Sequence, residues 1–407
     1  MPVYHMTYLE LELNYERLRY LFIMAARGST RLFQSLRSGL SIQSRQVATK
    51  SGGLKKSAAP LVLGTLAAGA GTYGLYKYVS RETVTELAEA VKVLPQVSAA
   101  SGPSSQPSVF SQGKDHALYL WIELTPEANA KEVVKAAKSL QKLVDQVTDP
   151  SLRDEMDEIW AGVGFSPNFY KQVGGKAKQD YTYAHRRGNL GDMPSSAGDV
   201  FIHAKCNTPS KLFELAQVFL ASLPKGSVRD YEDIYSFVYK NGRDLSGFID
   251  GTENAADDES REQIAVEKET GGSYVITQKW LHDMKLIGSE KDKVMEGWVG
   301  RTKSDSTEIS RKSITSHVAR MTGGNGFQQK KPFEIVRQSM PFGTLKDGCG
   351  LFFIGYSASP DNLNFMLDNM VGAGKDGPHC DDVMRLTKNV KGTYWYFPGN
   401  EELVKLH

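Results

Sequence analysis

The strongest constraint on the fold is an order of predicted elements that occurs twice between residues 116 and 397. In the first half, the predicted strands are 116–124, 159–165, 199–206 and 228–239, and predicted helices begin at Thr125 and Pro209. Both helices place apolar residues three and four positions apart, which is typical of an amphipathic helix. The order β-α-β-β-α-β is that of a ferredoxin-like unit, an antiparallel sheet with helices on one face.

The same order returns after residue 270, although less regularly. Predicted strands lie at 274–281, 334–340, 351–356 and 393–397, and predicted helices at 290–299 and 360–371. We therefore predict an α+β protein made of two ferredoxin-like units, residues 116–245 and 246–407. A site would form in the second unit, between its sheet and helices and beneath the loop at 240–270.

The first 56 residues differ in composition from this body. Residues 17–81 contain 11 Lys or Arg and no Asp or Glu, and residues 24–56 are rich in Arg and Ser. This composition is typical of an organellar transit peptide, so we interpret residues 1–56 as a presequence. Three glutamates before Met24 do not fit the pattern, and Met24 is therefore a second candidate for the start of translation.

An uncharged segment follows the presequence. Residues 57–76 carry no charge over 20 positions, about the length needed to cross a bilayer, and we predict a single membrane helix at 57–79. Its four glycines make it only weakly apolar, so a flexible linker is the alternative. Residues 80–115 are interpreted as a linker. These features predict a mitochondrial protein anchored in the inner membrane, with the choice between intermembrane space and matrix left open.

The charge of the body excludes one class of function. Residues 82–407 hold 38 Lys or Arg against 44 Asp or Glu, so the folded part is mildly acidic. Nucleic-acid-binding domains carry basic surfaces, and we expect no nucleic-acid partner. The three cysteines have no partner at CxxC spacing, which argues against a thiolate metal site and against a disulfide framework.

Three short segments of the body carry candidate functional side chains. Asp250 lies in the loop NGRDLSGFIDGTEN, where a carboxylate either faces a pocket or caps its own turn. His317 lies in TSHVARM, and a single histidine beside apolar residues is more often a packed residue than a ligand. Arg337 lies in EIVRQSMPFG on a predicted buried strand. A buried arginine needs a carboxylate or an anionic ligand, because an unpaired buried charge is costly.

Together these segments resemble the dye-decolourising peroxidases, a family of haem peroxidases built from two ferredoxin-like units, and in particular its compact, bacterial-type branch. The resemblance runs from about residue 116 to 397 and is strongest in EDIYSFVYKNGRDLSGFIDGTEN, residues 232–254. Five further motifs match in order: GDVFIHAKC (198–206), GRTKSD (300–305), SHVAR (316–320), VRQSMPFG (336–343) and GYSASP (355–360).

The resemblance implies a peroxidase with a haem b cofactor that reduces hydrogen peroxide and oxidises a donor one electron at a time. It implies that His317 is the proximal iron ligand and that Asp250 and Arg337 form the distal pair. Asp250 would move a proton between the peroxide oxygens, and Arg337, from which we expect the larger contribution, would stabilise the departing oxygen.

The resemblance also implies further contacts with the cofactor. Ser339, two residues after Arg337, would face the same pocket, and Gly251 and Thr252 of the family's loop would bind the cofactor.

One departure from the family concerns the carboxylate that makes the proximal histidine more electron-donating. The family pattern there is similar to D-R-x-L-D-F, whereas this chain reads CDDVMRL at 380–386, with Arg385 where a carboxylate is expected. Either Asp381 or Asp382 would have to bond to His317. If neither does, the alternative is a haem-binding or haem-handling protein with low turnover. A third hypothesis is a cofactor-free structural subunit of a membrane complex.

The electron donor is not identified by the sequence; cytochrome c and a small phenol are the candidates, and a homo-oligomer is compatible with the sequence. The aromatic run 394–396 suits an electron relay, but alternation along a terminal strand explains it more simply. His282 and His379 fall outside the matching motifs, and we interpret both as structural residues.

Overall fold

Residues 103–147, 157–322, 334–374 and 378–407 are described by a computed structural model of the chain. The predicted presequence, the predicted membrane helix and most of the predicted linker lie outside these residues. Within them, no helix combines the length and the hydropathy needed to cross a bilayer. The end of the predicted linker is packed, because the Gln106 amide is buried and donates to the carbonyl oxygens of Val163 and Pro398.

The first half has the predicted ferredoxin-like order. Its elements are β1 (His116–Leu124), α1 (Ala130–Lys138), α2 (Leu140–Val147), β2 (Trp160–Phe165), α3 (Pro167–Gln172), β3 (Arg186–Gly188), β4 (Gly191–Met193), β5 (Val200–Cys206), α4 (Pro209–Ser222) and β6 (Val228–Phe237). Strands β3 and β4 form a separate two-stranded sheet, and the other four pair in the order β2-β5-β1-β6. All of these pairings are antiparallel.

The second half repeats the order with more helices. Its elements are α5 (Asp258–Ala265), β7 (Ser273–His282), α6 (Met284–Ser289), α7 (Asp292–Val299), α8 (His317–Thr322), β8 (Val336–Arg337), β9 (Met340–Thr344), β10 (Gly348–Ser357), α9 (Pro360–Val371), a 3₁₀ turn (Asp382–Arg385), β11 (Thr387–Phe397) and α10 (Asn400–Lys405). The strands pair in the order β11-β7-β10, and β8 and β9 follow one another along the outer side of β10.

The two halves share one sheet instead of forming two. β11 pairs with β2 and β6 pairs with β9, and the pairing of β7 with β10 closes eight of the strands into a ring. Each junction between the halves rests on a single residue pair, Tyr396 with Phe165 and Ser236 with Phe342. The expected two separate sheets are therefore joined, while the α+β class and the ferredoxin-like order of both units are confirmed.

Both faces of the shared sheet are buried along most of its strands, although β6 is largely exposed on one side. On β1, Leu118, Leu120 and Ile122 pack against the helices, whereas Tyr119 and Trp121 point into the ring. The interior is filled mainly by aromatic side chains from both halves, including Phe201, Phe352, Tyr356, Trp395 and Phe397. Successive side chains along a strand point to opposite faces of the sheet, so the same strands contribute to one core beneath the helices and to another inside the ring.

Two predicted elements are interrupted in the structure. The helix expected from Thr125 to Val147 starts at Ala130, where the Asn129 side chain accepts a hydrogen bond from Lys131 N, and it breaks at Ser139. The strand expected at 334–340 is divided into β8 and β9 by Gln338 and Ser339. The Gln338 amide turns away to donate to the carbonyl oxygens of Ser108 and Val109.

Candidate functional site

A cavity of about 280 Å³ lies in the second half, enclosed by its sheet, its helices and the loop that follows β6. This volume is close to the lower end of the range for small-molecule sites, about 300 Å³. Most of the wall is apolar, with aromatic and aliphatic side chains from β7, β10, α8 and α9. The predicted site residues Asp250, Gly251, Thr252, His317 and Arg337 all line this one cavity.

His317 is the first residue of α8 and is fixed by a buried carboxylate. Its Nδ1–H donates to Asp381 Oδ2 at 2.7 Å. The imidazole is 30% exposed, toward the cavity, whereas the Asp381 side chain is 0% exposed. This bond selects the tautomer in which Nε2 carries a lone pair, the form that binds metal ions.

Asp381 is itself held in place by the backbone. Its N–H donates to Met370 O at 2.8 Å, and its Oδ1 accepts from Val383 N at 2.9 Å, at the start of the 3₁₀ turn. Asp382 points elsewhere: it accepts from Thr315 Oγ1 at 2.6 Å and from Arg385 Nε at 2.8 Å. Of the two acids that the sequence left open, Asp381 is therefore the partner of His317.

The loop that carries Asp250 is built from turns that require glycine. Gly242, Gly247 and Gly251 have φ angles of 86°, 91° and 79°, a region that residues with a Cβ rarely adopt. The Arg243 guanidinium donates to the carbonyl oxygens of Gly247 and of residues 303 and 304, at 2.6–2.8 Å. The loop is thereby tied to the GRTKSD segment, whose Arg301 also lines the cavity.

Asn254 joins this loop to the strand that carries Arg337. Its Nδ2 donates to Arg337 O at 2.7 Å, and its Oδ1 accepts from Arg337 N at 2.9 Å. Gly355 of β10 pairs with Arg337 from the other side. The backbone of Arg337 is thus fixed on both sides, which sets the direction of its side chain.

The electrostatics of the cavity leave one cation without a counter-ion. In the described part of the chain, the Arg337 guanidinium has no hydrogen bond and no ion pair, although it is only partly exposed. Arg301, the other arginine of the wall, pairs with Glu253 and Glu308. The Asp250 carboxylate accepts from Gly251 N at 2.7 Å. An unpaired, partly buried guanidinium needs an anionic ligand.

Ser339 does not line the cavity, contrary to the expectation from the resemblance. It is partly buried, and its Oγ accepts a hydrogen bond from Ile354 N at 3.2 Å. β10 pairs with β8 and β9 in one continuous register, Gly355 with Arg337 and Phe352 with Met340. Ser339 therefore lies opposite Phe353 of β10, without lining the cavity itself.

A second histidine of the wall was missed by sequence reasoning. His282, at the end of β7, lines the cavity, with Nε2 at 2.8 Å from Asp244 Oδ1 and Nδ1 at 2.8 Å from Thr387 Oγ1. Burial acts to raise the pKa of Asp244, but the hydrogen bonds and charge of His282 outweigh it and lower that pKa. The only signal in the sequence is Asp244 itself, within the long matching block. His379 is not among the residues that line the cavity.

These residues fit a haem group. An apolar cavity suits the faces of a porphyrin, His317 presents a single free nitrogen lone pair, and the unpaired Arg337 supplies positive charge for an anionic group. Among the described residues, no cluster of three or more His, Cys, Asp or Glu side chains could hold a metal ion by itself.

Comparison with known proteins agrees with this reading of the site. A family profile described as "Dyp-type peroxidase, C-terminal" matches residues 241–402. A dye-decolorizing peroxidase of Mycolicibacterium paratuberculosis is 32% identical over 290 residues, which cover 69% of this chain and 80% of that protein. A dye-decolorizing peroxidase of Mycobacterium tuberculosis is 30% identical over 271 residues, which cover 64% of this chain and 79% of that protein.

Solved structures give the same result. A dye-decolorizing protein from V. cholerae has a TM-score of 0.67 and 27% identity, covering 74% of this chain and 100% of that chain. A variant of Rhodococcus jostii DypB in complex with heme has a TM-score of 0.67 and 26% identity, and the match covers 75% of this chain and 99% of that chain. The chain therefore belongs to the dye-decolourising peroxidase family and is a haem peroxidase.

Proposed function

We propose that this peroxidase holds haem b through His317 and that Asp250 and Arg337 act on the hydrogen peroxide bound beside it. The observation that carries the proposal is the arrangement of one cavity: an imidazole fixed by a buried carboxylate, with an unpaired guanidinium and a second carboxylate in the same wall. When bound, haem supplies the iron that takes up the oxidising equivalents of peroxide and passes them to a donor.

His317 suits the role of iron ligand because of its partner. The Asp381 carboxylate, 2.7 Å from Nδ1, keeps that nitrogen protonated and leaves Nε2 free to bind iron. A hydrogen bond to a carboxylate also makes an imidazole a more basic ligand, which favours cleavage of the O–O bond.

Asp250 and Arg337 suit the handling of peroxide. A carboxylate in the wall can take a proton from one peroxide oxygen and deliver it to the other, directly or through a water molecule. The positively charged guanidinium of Arg337 can stabilise negative charge on the departing oxygen. Asn254 holds Arg337 by two backbone hydrogen bonds, so this charge is positioned before peroxide arrives.

The test is an absorption titration of the purified chain with haem, followed by addition of peroxide. We expect wild type to bind haem with a Soret band that peroxide shifts. His317→Ala should lose the spectrum of an axially ligated iron, whereas the control His379→Ala, outside the cavity, should retain it. Retention of that spectrum in His317→Ala would contradict the assignment.

A second measurement separates the two polar residues. Stopped-flow mixing with peroxide should show a reaction about 10²–10³-fold slower in Arg337→Leu, the usual effect of removing one preorganised donor. Asp250→Asn should have a smaller effect. Equal rates in wild type and Arg337→Leu would exclude a role for the guanidinium in peroxide cleavage.

The low-turnover alternative loses its motivation in this structure. It depended on the replacement of the family's usual carboxylate by Arg385, but Asp381 bonds to His317 from a position four residues earlier. The Arg337 guanidinium, which has no ion pair within the described part of the chain, likewise argues against a cofactor-free structural subunit, because a partly buried charge without a counter-ion is unfavourable.

We also propose a location and a donor on the basis of the sequence. The acid-free, basic stretch before residue 57 supports mitochondrial import, and the uncharged segment 57–79 supports an anchor in the inner membrane. Protease protection of a tagged chain in isolated mitochondria, before and after rupture of the outer membrane, would determine the side. Comparison of reduced cytochrome c and small phenols in steady-state assays would distinguish the donors.

A further inference from the structure

Inside the closed sheet, apart from the cavity, lies a buried tyrosine–histidine pair. Tyr356 Oη and His203 Nδ1 are 2.6 Å apart, and both side chains are 0% exposed. His203 Nε2 has no hydrogen-bond partner among the residues that the structure describes. An unsatisfied buried group costs free energy, and apolar side chains of similar shape would be at least as stable. Stability therefore does not explain the pair.

The pair lies directly behind the wall of the cavity. Gly355 pairs with Arg337 and Tyr356 with Val336, so Tyr356 belongs to the same two strands as Arg337 but points to the other face. Phe353 of the same strand lines the cavity. One thickness of the sheet thus separates the phenol from the cavity.

The ring of Tyr119 lies against the pair. It stacks on His203 with ring centroids 5.1 Å apart. Burial raises the pKa of the Tyr119 phenol well above its ordinary value. Tyr119 is therefore a second buried phenol in contact with the same imidazole.

Tyr356 and Tyr119 differ in the partner of the hydroxyl group, because only the partner of Tyr356, His203, can accept a proton. Burial, with the nearby charge of Lys205, lowers the pKa of His203 well below its ordinary value, so its imidazole is neutral. In the tautomer with hydrogen on Nε2, Nδ1 accepts from the Tyr356 hydroxyl. The Tyr119 hydroxyl donates instead to the carbonyl oxygen of Gln338, at 2.8 Å, and a carbonyl cannot keep a proton.

Loss of an electron from Tyr356 requires such a base. Burial raises the pKa of its phenol, so the hydroxyl stays protonated before oxidation. A phenol that has lost one electron is a strong acid and gives its proton to the nearest base. Burial, together with the charge of Lys205, disfavours a lasting imidazolium at His203, so the proton returns to the phenol when an electron is supplied.

We propose that Tyr356 and His203 form an internal, proton-coupled electron donor to the peroxide-oxidised haem centre. Tyr356 gives one electron to that centre, which is reduced by one equivalent. The O–H bond breaks, an N–H bond forms at Nδ1 of His203, and Tyr356 becomes a neutral phenoxyl radical. One electron from an external donor reverses the step. The inference rests on the proposed function, because peroxide acting at the cofactor supplies the oxidant.

The experiment is electron paramagnetic resonance of the haem-loaded chain, frozen after mixing with one equivalent of hydrogen peroxide without donor. We expect a tyrosyl radical whose splitting changes in protein made with ring-deuterated tyrosine. The signal should be lost in Tyr356→Phe and kept in Tyr119→Phe, which also removes one buried hydroxyl. It should also be lost in His203→Gln, because glutamine can accept a hydrogen bond but cannot hold the proton.

The absorption spectrum of the same samples distinguishes a failure of the proposed function from a failure of this inference. If peroxide leaves the haem spectrum of wild type unchanged, the proposed function fails and this inference with it. If the haem spectrum responds to peroxide but no tyrosyl radical forms, this inference alone is overturned. The same holds if Tyr356→Phe or His203→Gln retains the tyrosyl radical. Should Tyr356→Phe not fold, coupling of the wild-type radical to ¹⁵N-labelled histidine decides: its presence supports the pair, and its absence contradicts it.

Discussion

At the scale of single residues, two adjacent acids have different tasks. Asp381 bonds to His317, while Asp382 ties the segment before α8 to the 3₁₀ turn through Thr315. The sequence left open whether Asp381, Asp382 or neither takes the place of the family's carboxylate. Neighbouring side chains in a turn point in different directions, and that direction is set by the backbone bonds of Asp381 to Met370 and Val383.

We expect Asp381→Asn to retain haem but to react with peroxide about 10–100-fold more slowly, the usual effect of losing an outer partner of a metal ligand. An amide keeps a hydrogen bond to His317 but not the negative charge that makes the imidazole basic. Stopped-flow absorption with peroxide measures the rate. The matched control is Asp382→Asn, which should be close to wild type. An equal loss in both variants would show that the carboxylate acts only through local structure.

The pair of Asp244 and His282 leads to a prediction about pH. The folded-state pKa of Asp244 lies below the unfolded value of about 3.9, so the carboxylate stabilises the fold above about pH 4 and loses this contribution as the pH falls through its folded pKa. We expect Asp244→Asn to be less stable than wild type at pH 7, with the difference shrinking toward pH 3. Urea denaturation at several pH values measures it. A constant difference would mean that the charge of Asp244 contributes nothing.

At the scale of elements, local pattern was sufficient where the interactions are local. β1 was predicted and found at 116–124, and α4 begins at the predicted Pro209. The division of the strand at 334–340 was not predictable, because it depends on Gln338 bonding to a segment more than 200 residues away in sequence. For the same reason, His282 was interpreted as a structural residue only and Asn254 was assigned no role: their partners are distant in the chain.

The clamp made by Asn254 connects two elements of the site, and its loss should affect both stability and rate. Asn254→Ala removes both hydrogen bonds to the Arg337 backbone, at a cost of about 1–3 kcal/mol in the free energy of unfolding. The peroxide reaction should also slow, because the guanidinium is no longer held in position. Urea denaturation and stopped-flow kinetics measure the two effects.

The matched control for Asn254 is Asn207→Ala. Asn207 also accepts a hydrogen bond from a backbone N–H, that of Asp115, but it lies in the first half and outside the cavity wall. The Asn207→Ala substitution should lower the free energy of unfolding slightly and leave the rate of the peroxide reaction unchanged. A normal rate in Asn254→Ala would show that β8 alone positions Arg337.

At the scale of the whole molecule, the two ferredoxin-like units are joined mainly by packing. Only one residue pair connects the strands at each junction, Tyr396 with Phe165 and Ser236 with Phe342. By contrast, the rings of the interior cross between the halves: Phe201 stacks on Trp395 at 5.2 Å and Tyr119 on Phe352 at 4.1 Å. The repeated sequence pattern predicted each unit, but no short-range pattern in the sequence indicates that the two sheets join and enclose one interior.

This shared interior predicts that neither half is stable alone. Fragments 103–245 and 246–407 would each expose aromatic side chains and two unpaired strand edges, so we expect each to lack a cooperative unfolding transition. The intact chain should unfold in a single transition, with the same urea midpoint by far-ultraviolet circular dichroism and by tryptophan fluorescence. Co-expression of the fragments should restore that transition, which serves as the control for the site of division. A sigmoidal transition in either fragment alone, or two separate midpoints in the intact chain, would mean that each unit has a sufficient core and that the junction contributes little.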